Sequence, residues 1–248
     1  MPLFSRLIDK NTPIPMYYQL KEIILDEIKT EKLQPGDSIP TEKELSDIFD
    51  ISRSTIRQAI SDLVKEGYLY RIKSKGTFVS KPKINQDFIW KLETFSEQMK
   101  KLGLVPSTKV LELAVIEAEE EIASVLQLPI NDKVIKLVRL RFANDEPIVI
   151  VETYLPYNSC LSILQYDMEK KSLYEVLSLD TRSKIYKVLR TVEAVVAGQY
   201  ESKLLQIKRG YPIQLFTTIG YNREEKPIEY SIARYRGDRN KFKVEIII

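Results

Sequence analysis

The sequence predicts an α+β protein of two domains, and three observations predict it. Residues 37–79 hold two capped helical segments followed by a short basic hairpin, the next stretch is poor in core residues, and the remainder carries a weak repeat of a helix followed by a β-hairpin. At 248 residues the chain exceeds one typical domain, and 44 % hydrophobic with 29 % charged residues is ordinary globular composition.

The clearest helix lies over residues 53–65. Ile56, Ala59, Ile60, Leu63 and Val64 recur at i, i+3, i+4, i+7 and i+8, one apolar stripe of 3.6-residue period. The opposite face holds Arg53, Ser54, Arg57, Gln58 and Ser61, each able to hydrogen-bond a base edge or a phosphate. Ser52 is a good N-cap, and Gly67 suits the C-terminal end. An earlier helix starts at the capping box of Thr41 and Glu44, with Leu45, Ile48 and Phe49 as its apolar side. Tyr68 to Arg71 reads as a strand, Ser74, Lys75 and Gly76 as a turn, and Thr77 to Val79 as the return strand. Arg71, Lys73 and Lys75 are placed at the hairpin tip.

That order of parts is a winged helix-turn-helix. Arg53 and Arg57 stand one turn apart near the end of the recognition helix that enters the major groove, and the basic wing suits phosphates or the adjacent minor groove. Charge placement agrees: residues 51–83 hold eight Lys and Arg against two acidic residues, whereas residues 1–50 hold six against ten. The alternative is a small helical core with an ordinary solvated face. Chance amphipathicity does not supply both caps, the arginine pair and the wing in order.

Composition excludes other chemistry. There is no histidine in the chain, so the usual zinc ligand and general base are missing, and no Gly-rich phosphate loop is present. No cofactor, no metal and no catalytic residue are expected; catalysis by carboxylates alone stays formally open. The single cysteine, Cys160, excludes an internal disulfide framework and reads as a small hydrophobe. No apolar run is long enough to span a membrane, and Pro2, Leu3 and Phe4 are too few for a signal-peptide core, so a cytoplasmic location is expected.

PMYYQLKEIILDEI and LQPGDSIPTEKELSDIFDISRSTIRQAISDLVKEGYLYRIKSKGTFV resemble the DNA-binding domain of GntR-family bacterial transcription regulators. The resemblance implies DNA contacts from Lys43 on the first helix of the motif and from Arg53, Ser54, Thr55 and Arg57 on the recognition helix; the basic wing itself adds Lys73, Lys75 and Gly76 as candidate contacts. Position 43 is usually arginine in that family. Lysine keeps the charge and loses the bidentate fork, which favours a phosphate contact over base readout.

Ser80 to Phe88, SKPKINQDF, offers few residues able to build a core and is read as the connection. The expected layout is a DNA-binding domain over residues 1–80, a linker over 81–89 and a second domain over 90–248. In that second domain the segment from Ala118 parallels the one from Ala197, with Leu126, Val134, Leu140, Pro147 and Ile148 matching Leu205, Ile213, Ile219, Pro227 and Ile228. Two such units fit one antiparallel sheet with helices on a face and are too few for a solenoid.

The copies differ at Arg139 and Arg141, whose counterparts are Thr218 and Gly220. Alternation puts both arginines on one strand face. With a turn from Asn144 to Pro147, Arg139 falls opposite Glu152 and Arg141 opposite Ile150, so a cross-strand Arg139–Glu152 ion pair is one reading. An anion pocket is the other: two guanidinium groups suit a phosphate, and Ser172, at the start of SLYEVL with Tyr174 in the same turn, can add a hydroxyl and backbone N–H groups. Ser172 as a plain N-cap and Tyr174 as packing are the simpler accounts, and spacing does not choose.

ETFSEQMKKLGLVPSTKVL, RLRFANDEPIVIVETYLP, KKSLYEVL and KPIEYSIARYRGDRNKF together resemble the UTRA effector-binding domain of the HutC subfamily, whose fold is similar to chorismate lyase. The resemblance implies that Thr94, Arg139, Arg141, Ser172 and Tyr174 hold the phosphate of a sugar phosphate and that Glu229 and Tyr235 approach the sugar. Some relatives carry glutamate at the position of Val151; in this chain Glu152 is taken as the acidic effector-binding candidate of that hairpin, although a one-residue shift turns a side chain to the other face. The expectation is a homodimeric repressor of a palindromic operator, controlled by a small anionic metabolite, with sugar phosphates leading. A non-sugar effector, a chorismate-lyase-like enzyme and a constitutive DNA-binding protein are the alternatives.

Overall fold

Helices α1 (Met16–Lys29), α2 (Glu42–Phe49) and α3 (Arg53–Lys65) enclose a core in which Leu20, Ile24, Leu45, Ile56, Ala59 and Leu63 are fully buried. The structure, a computed structural model, describes residues 4, 7–81, 83–86 and 94–242, and the chain divides into units Met1–Pro82 and Lys83–Ile248. The Thr41 hydroxyl accepts the Glu44 N–H at 3.2 Å while the Glu44 carboxylate accepts the Thr41 N–H at 2.7 Å. Ser52 caps α3 through the Thr55 N–H at 3.2 Å. Each cap satisfies an amide that the first turn leaves unpaired, worth about 1 kcal/mol.

Strands β1 (Leu69–Ile72) and β2 (Gly76–Val79) make the antiparallel wing, turned through Ser74 at φ 64° and Gly76 at φ 126°. Two details correct the sequence reading. Ile48 is 48 % exposed, because Leu45 and Phe49 fill the inward edge of α2. Arg71 lies within β1, reaching Ser61 of α3 at 3.4 Å, and is not at the wing tip.

In the second unit β3 (Ile84–Gln86) pairs in parallel with β10 (Asn240–Phe242). Residues 84–86, expected inside the linker, therefore belong to this unit, and Ile84 is buried in its core. Its one apolar residue among amides and charges gave no strand periodicity to read. Residues 87–89 of the expected linker lie outside the described residues.

The main sheet comprises β4 (Pro106–Glu117), β5 (Lys133–Ala143), β6 (Glu146–Pro156), β7 (Lys187–Val196), β8 (Pro212–Tyr221) and β9 (Pro227–Arg236), antiparallel in the order β4-β5-β6-β9-β8-β7. With α5 (Glu120–Leu126) and α8 (Gln199–Leu205), the repeat becomes strand, helix and hairpin twice over, the copies meeting at β6 and β9. Each unit thus starts one strand earlier than its sequence similarity shows.

Alternation sorts the faces. Even-numbered residues of β5, such as Val134 and Val138, pack beneath α5 and α8. On the opposite face α4 (Phe95–Lys101) covers Val149, Phe216 and Ala233, while α6 (Tyr157–Cys160) and α7 (Leu173–Leu177) cover Ile135, Leu137 and Leu155. Cys160 is fully buried there, and burial pushes its thiol up to about 12.

The β5–β6 hairpin settles the register. Asn144 and Asp145 both have positive φ, 48° and 62°, so they form the two-residue turn and Ala143 pairs with Glu146. A bulge follows between Arg141 and Phe142, after which Arg141 pairs with Val149 and Arg139 with Val151. The cross-strand Arg139–Glu152 pair, one of the two readings of the arginines, is not formed. Glu152 faces the other side of the sheet, where it meets Arg234 at 3.3 Å, Lys136 at 3.7 Å and the Tyr154 hydroxyl at 2.7 Å.

Candidate functional site

Between the α4 and α7 covers the sheet face turns polar and forms a pocket. Arg139 and Arg141 enter it from β5, Val151 from β6, Glu229, Ser231, Ala233 and Tyr235 from β9, Phe216 and Thr218 from β8, and Arg190 from β7; Thr94, Phe95 and Gln98 with Ser172, Leu173 and Tyr174 close it above. Seven of the eight residues expected to hold a small molecule line it; Glu152 does not. The two repeats differ where the pocket needs them to: β5 supplies arginines where β8 has Thr218 and Gly220, and β9 supplies Glu229 and Ser231 where β6 has Val149 and Val151.

Arg139 is 2 % exposed, and the Nε groups of Arg139 and Arg141 are buried with no hydrogen-bond partner among the described residues. Burial, reinforced by the adjacent Arg141 charge, holds Arg139 well below the usual guanidinium range, and burial lowers Arg141 as well. The Arg141 guanidinium stacks 5.2 Å from the centre of the Phe95 ring. Two buried like charges without full hydrogen bonding are unfavourable, and an anion with several acceptor oxygens relieves both the repulsion and the missing bonds.

Glu229, 3 % exposed, accepts hydrogen bonds from the Tyr174 hydroxyl at 2.8 Å and the Ser231 hydroxyl at 2.9 Å. Burial raises its carboxyl above the ordinary range, against those bonds and the fields of Arg190 and Arg139. Gly220 is its β8 neighbour: a Cβ there would lie 3.0 Å from the Glu229 Oε2 and from the Ile185 side chain, so glycine makes room for the carboxylate. Burial pushes the Tyr235 hydroxyl up to about 12, keeping it a donor at neutral pH. Thr94 caps α4, its hydroxyl donating to Glu97 at 2.8 Å, and the Ser172 N–H donates to the Glu175 carboxylate at 3.4 Å, so both also serve their helices.

Sequence reasoning missed Arg190, Gln98, Thr218 and Ser231. Arg190 donates from Nε to the Thr218 Oγ1 at 3.2 Å. Nothing in VLRTVEAVV marks it, because only the sheet order brings β7 to the same pocket as β5.

In the N-terminal unit Arg53, Ser54 and Arg57 are exposed on α3, and Thr55 is half-buried behind Ser52. The Ser54 and Thr55 hydroxyls each lie 2.8 Å from the Ser52 hydroxyl. Lys43 is exposed on α2, and Lys73, Lys75 and Gly76 are exposed at the wing. Glu42, also missed, grips Arg57 at 2.9 Å and stands 3.8 Å from Arg71. No described group of three or more Cys, Asp or Glu side chains is disposed to hold a metal ion, and no described helix is long and apolar enough to cross a membrane.

Residues 16–79 match the bacterial regulatory proteins of the gntR family, and residues 101–241 match the UTRA domain. The chain is 35 % identical over 235 residues to the HTH-type transcriptional repressor NagR of Bacillus subtilis, covering 95 % of this chain and 96 % of that one. It is 29 % identical to the mannosyl-D-glycerate transport/metabolism system repressor MngR of Escherichia coli, covering 92 % and 94 %. In fold it is similar to PhnF from Mycobacterium smegmatis, with a TM-score of 0.65 at 24 % identity over 93 % of this chain and 98 % of that structure. The matched family is one of regulatory proteins, and NagR and MngR are repressors, which removes the chorismate-lyase-like enzyme from the alternatives. A reading head of this type joined to a UTRA domain is the HutC arrangement, and the chain belongs to the GntR family of bacterial transcription regulators.

Proposed function

We propose that this regulator is a homodimeric repressor of a palindromic operator, controlled by a phosphorylated sugar held in the pocket of its second unit. The observation that carries the effector class is the pair of buried guanidinium groups, Arg139 and Arg141, whose Nε atoms have no partner among the described residues. In this reading both bind the phosphate with the hydroxyls of Thr94, Ser172 and Tyr174, while Glu229 and Tyr235 face the sugar. The repressor reading is supported by NagR and MngR, both named as repressors, and MngR governs use of a sugar derivative.

Arg53, Ser54, Thr55 and Arg57 read the major groove, Lys43 contacts a phosphate, and Lys73, Lys75 and Gly76 follow the backbone or the minor groove. Two recognition helices one DNA turn apart require a dimer. The β7 edge supports one: among the described residues it pairs only with β8, and Leu189, Val192 and Val196 are 57 %, 52 % and 70 % exposed. The reading head spans residues 1–80 and the effector domain 90–248, with Ile84–Gln86 joined to the latter. A protein that reads chromosomal DNA works in the cytoplasm.

Calorimetry and thermal unfolding with paired sugars and sugar phosphates test the proposal. Phosphorylated sugars should bind and shift the unfolding midpoint, and their unphosphorylated partners should bind far more weakly. Equal affinity for both members of a pair excludes the phosphate site.

A further inference from the structure

On the pocket side of the sheet one row of cross-strand neighbours runs Thr153, Ser231, Thr218 and Arg190 through β6, β9, β8 and β7. Arg190 ends that row four strands away from β5. At about 4.8 Å per strand, the backbones that carry Arg139 and Arg190 are ~19 Å apart, yet both side chains line the same pocket, so they enter from opposite ends. Thr218 fixes the Arg190 head through its Nε bond of 3.2 Å. Glu229, beside that row on β9, lies within the field of Arg190.

The two ends differ in electrical character. At the β5 end two guanidinium charges face each other without a carboxylate bonded to either Nε. Glu229 lies in the fields of Arg190 and Arg139 alike, but at the β7 end a single guanidinium, already anchored on Thr218, stands near that carboxylate, so a second anionic group gains less there than beside the arginine pair. What that end offers is a donor-only guanidinium beside an acceptor-only carboxylate. A sugar hydroxyl both donates and accepts, and two adjacent ring hydroxyls satisfy both groups at once.

We infer that Arg190 is a specificity-determining residue: its guanidinium donates to, and Glu229 accepts from, adjacent ring hydroxyls of a hexose whose phosphate is held by Arg139 and Arg141. This rests on the phosphorylated-sugar reading above. A simpler role, neutralising Glu229, predicts that any cation at the position suffices.

The test is calorimetry on the full-length protein with inorganic phosphate, glycerol 3-phosphate and a panel of hexose and hexosamine 6-phosphates. In the unsubstituted protein the best hexose phosphate should bind more tightly than glycerol 3-phosphate. Arg190→Met should weaken that hexose phosphate about 10- to 100-fold and leave inorganic phosphate and glycerol 3-phosphate unchanged. Arg190→Lys should recover only a small part of the loss, because lysine lacks the planar fork. Thr218→Val, which removes the anchor of Arg190, should weaken hexose phosphates in the same direction and serves if Arg190→Met does not fold. Equal losses for all ligands, full rescue by lysine, or undiminished hexose phosphate binding by Arg190→Met (by Thr218→Val, if the methionine variant does not fold) overturns the role of Arg190 and leaves the phosphate site standing. If the unsubstituted protein binds no phosphorylated compound, the phosphate site itself fails and Arg190 with it.

Discussion

The Glu42 carboxylate accepts two hydrogen bonds from Arg57, from Nε at 3.1 Å and from Nη2 at 2.9 Å, tying the first turn of α2 to the reading face of α3. Arg57 is 63 % exposed in this pair, so the bond contributes little to stability. Its consequence is orientation: the guanidinium is held in one place in the free protein, which, in the proposed DNA-reading role of Arg57, lowers the entropy lost on binding. The Arg57 bond is also the main cause of a depressed Glu42 carboxyl. A depressed carboxyl keeps its pairing through the ordinary glutamate range and loses it only as pH falls through the lowered value.

Arg57→Ala should cost about 1–3 kcal/mol of operator binding while the unfolding midpoint stays put, since the residue points away from the apolar stripe. Glu42→Gln should act differently, raising affinity for unrelated DNA by removing a negative charge and lowering the ratio of specific to non-specific binding. Fluorescence anisotropy on an operator recovered by in vitro selection, beside a scrambled duplex, measures both. An Arg57→Ala protein with full operator affinity removes the base-reading role.

Lys73 and Lys75 flank the wing turn at Ser74, and both are exposed. Contacts of this kind release counterions, so Lys75→Ala should weaken all duplexes alike and flatten the plot of log affinity against log salt by about one unit. A loss confined to one operator sequence contradicts phosphate contact.

Arg139 and Arg141 should divide stability from control. Removing one of two buried, repelling charges relieves desolvation, so Arg139→Met should unfold at a higher temperature than the unsubstituted protein when no ligand is added. It should keep DNA binding and lose the response to effector. For the unsubstituted protein, a ligand at 100-fold its dissociation constant stabilises by about 2.7 kcal/mol, and coupling of about 1–3 kcal/mol changes operator affinity roughly 5- to 150-fold. An Arg139→Met protein that still shows the ligand-induced shift assigns the phosphate elsewhere.

The reading head was legible because its information is local. The Thr41–Glu44 box, the Ser52 cap and the stripe from Ile56 to Leu63 span a few residues each and were found where periodicity places them. Arg139 and Arg141 were likewise visible as a break in the repeat. Non-local features escaped. The bulge beside Arg141, which decides that Glu152 leaves the pocket, adds one residue to a hairpin whose alternation reads equally well in either register. Arg190 joins the pocket only through the order β9-β8-β7, which no spacing encodes. Ile84–Gln86 needs its partner Asn240–Phe242, more than half the chain away, to be a strand.

Glu229 gives the pH dependence its sign. Burial raises its folded carboxyl above the ordinary value, so the stability it contributes is fully present below that ordinary value and is lost as pH rises through the folded one. Glu229→Gln keeps the shape and cannot ionise. The variant should therefore gain stability relative to the unsubstituted protein as pH climbs from the ordinary glutamate value, and the difference should level off once pH passes the raised folded value. The same substitution removes the charge and replaces one of the two acceptor oxygens proposed to face the sugar with a donor NH2, so hexose phosphate binding should fall while inorganic phosphate binding holds. Gly220→Ala offers a check by another route: its Cβ would lie 3.0 Å from the Glu229 Oε2, displacing the carboxylate without touching its charge. Thermal unfolding of all three proteins across pH, in parallel with calorimetry, reads the outcome. Stability curves of Glu229→Gln and the unsubstituted protein that run parallel from acid to neutral pH show that Glu229 ionises as it does in the unfolded chain, and that its buried position carries no electrostatic cost for the effector to relieve.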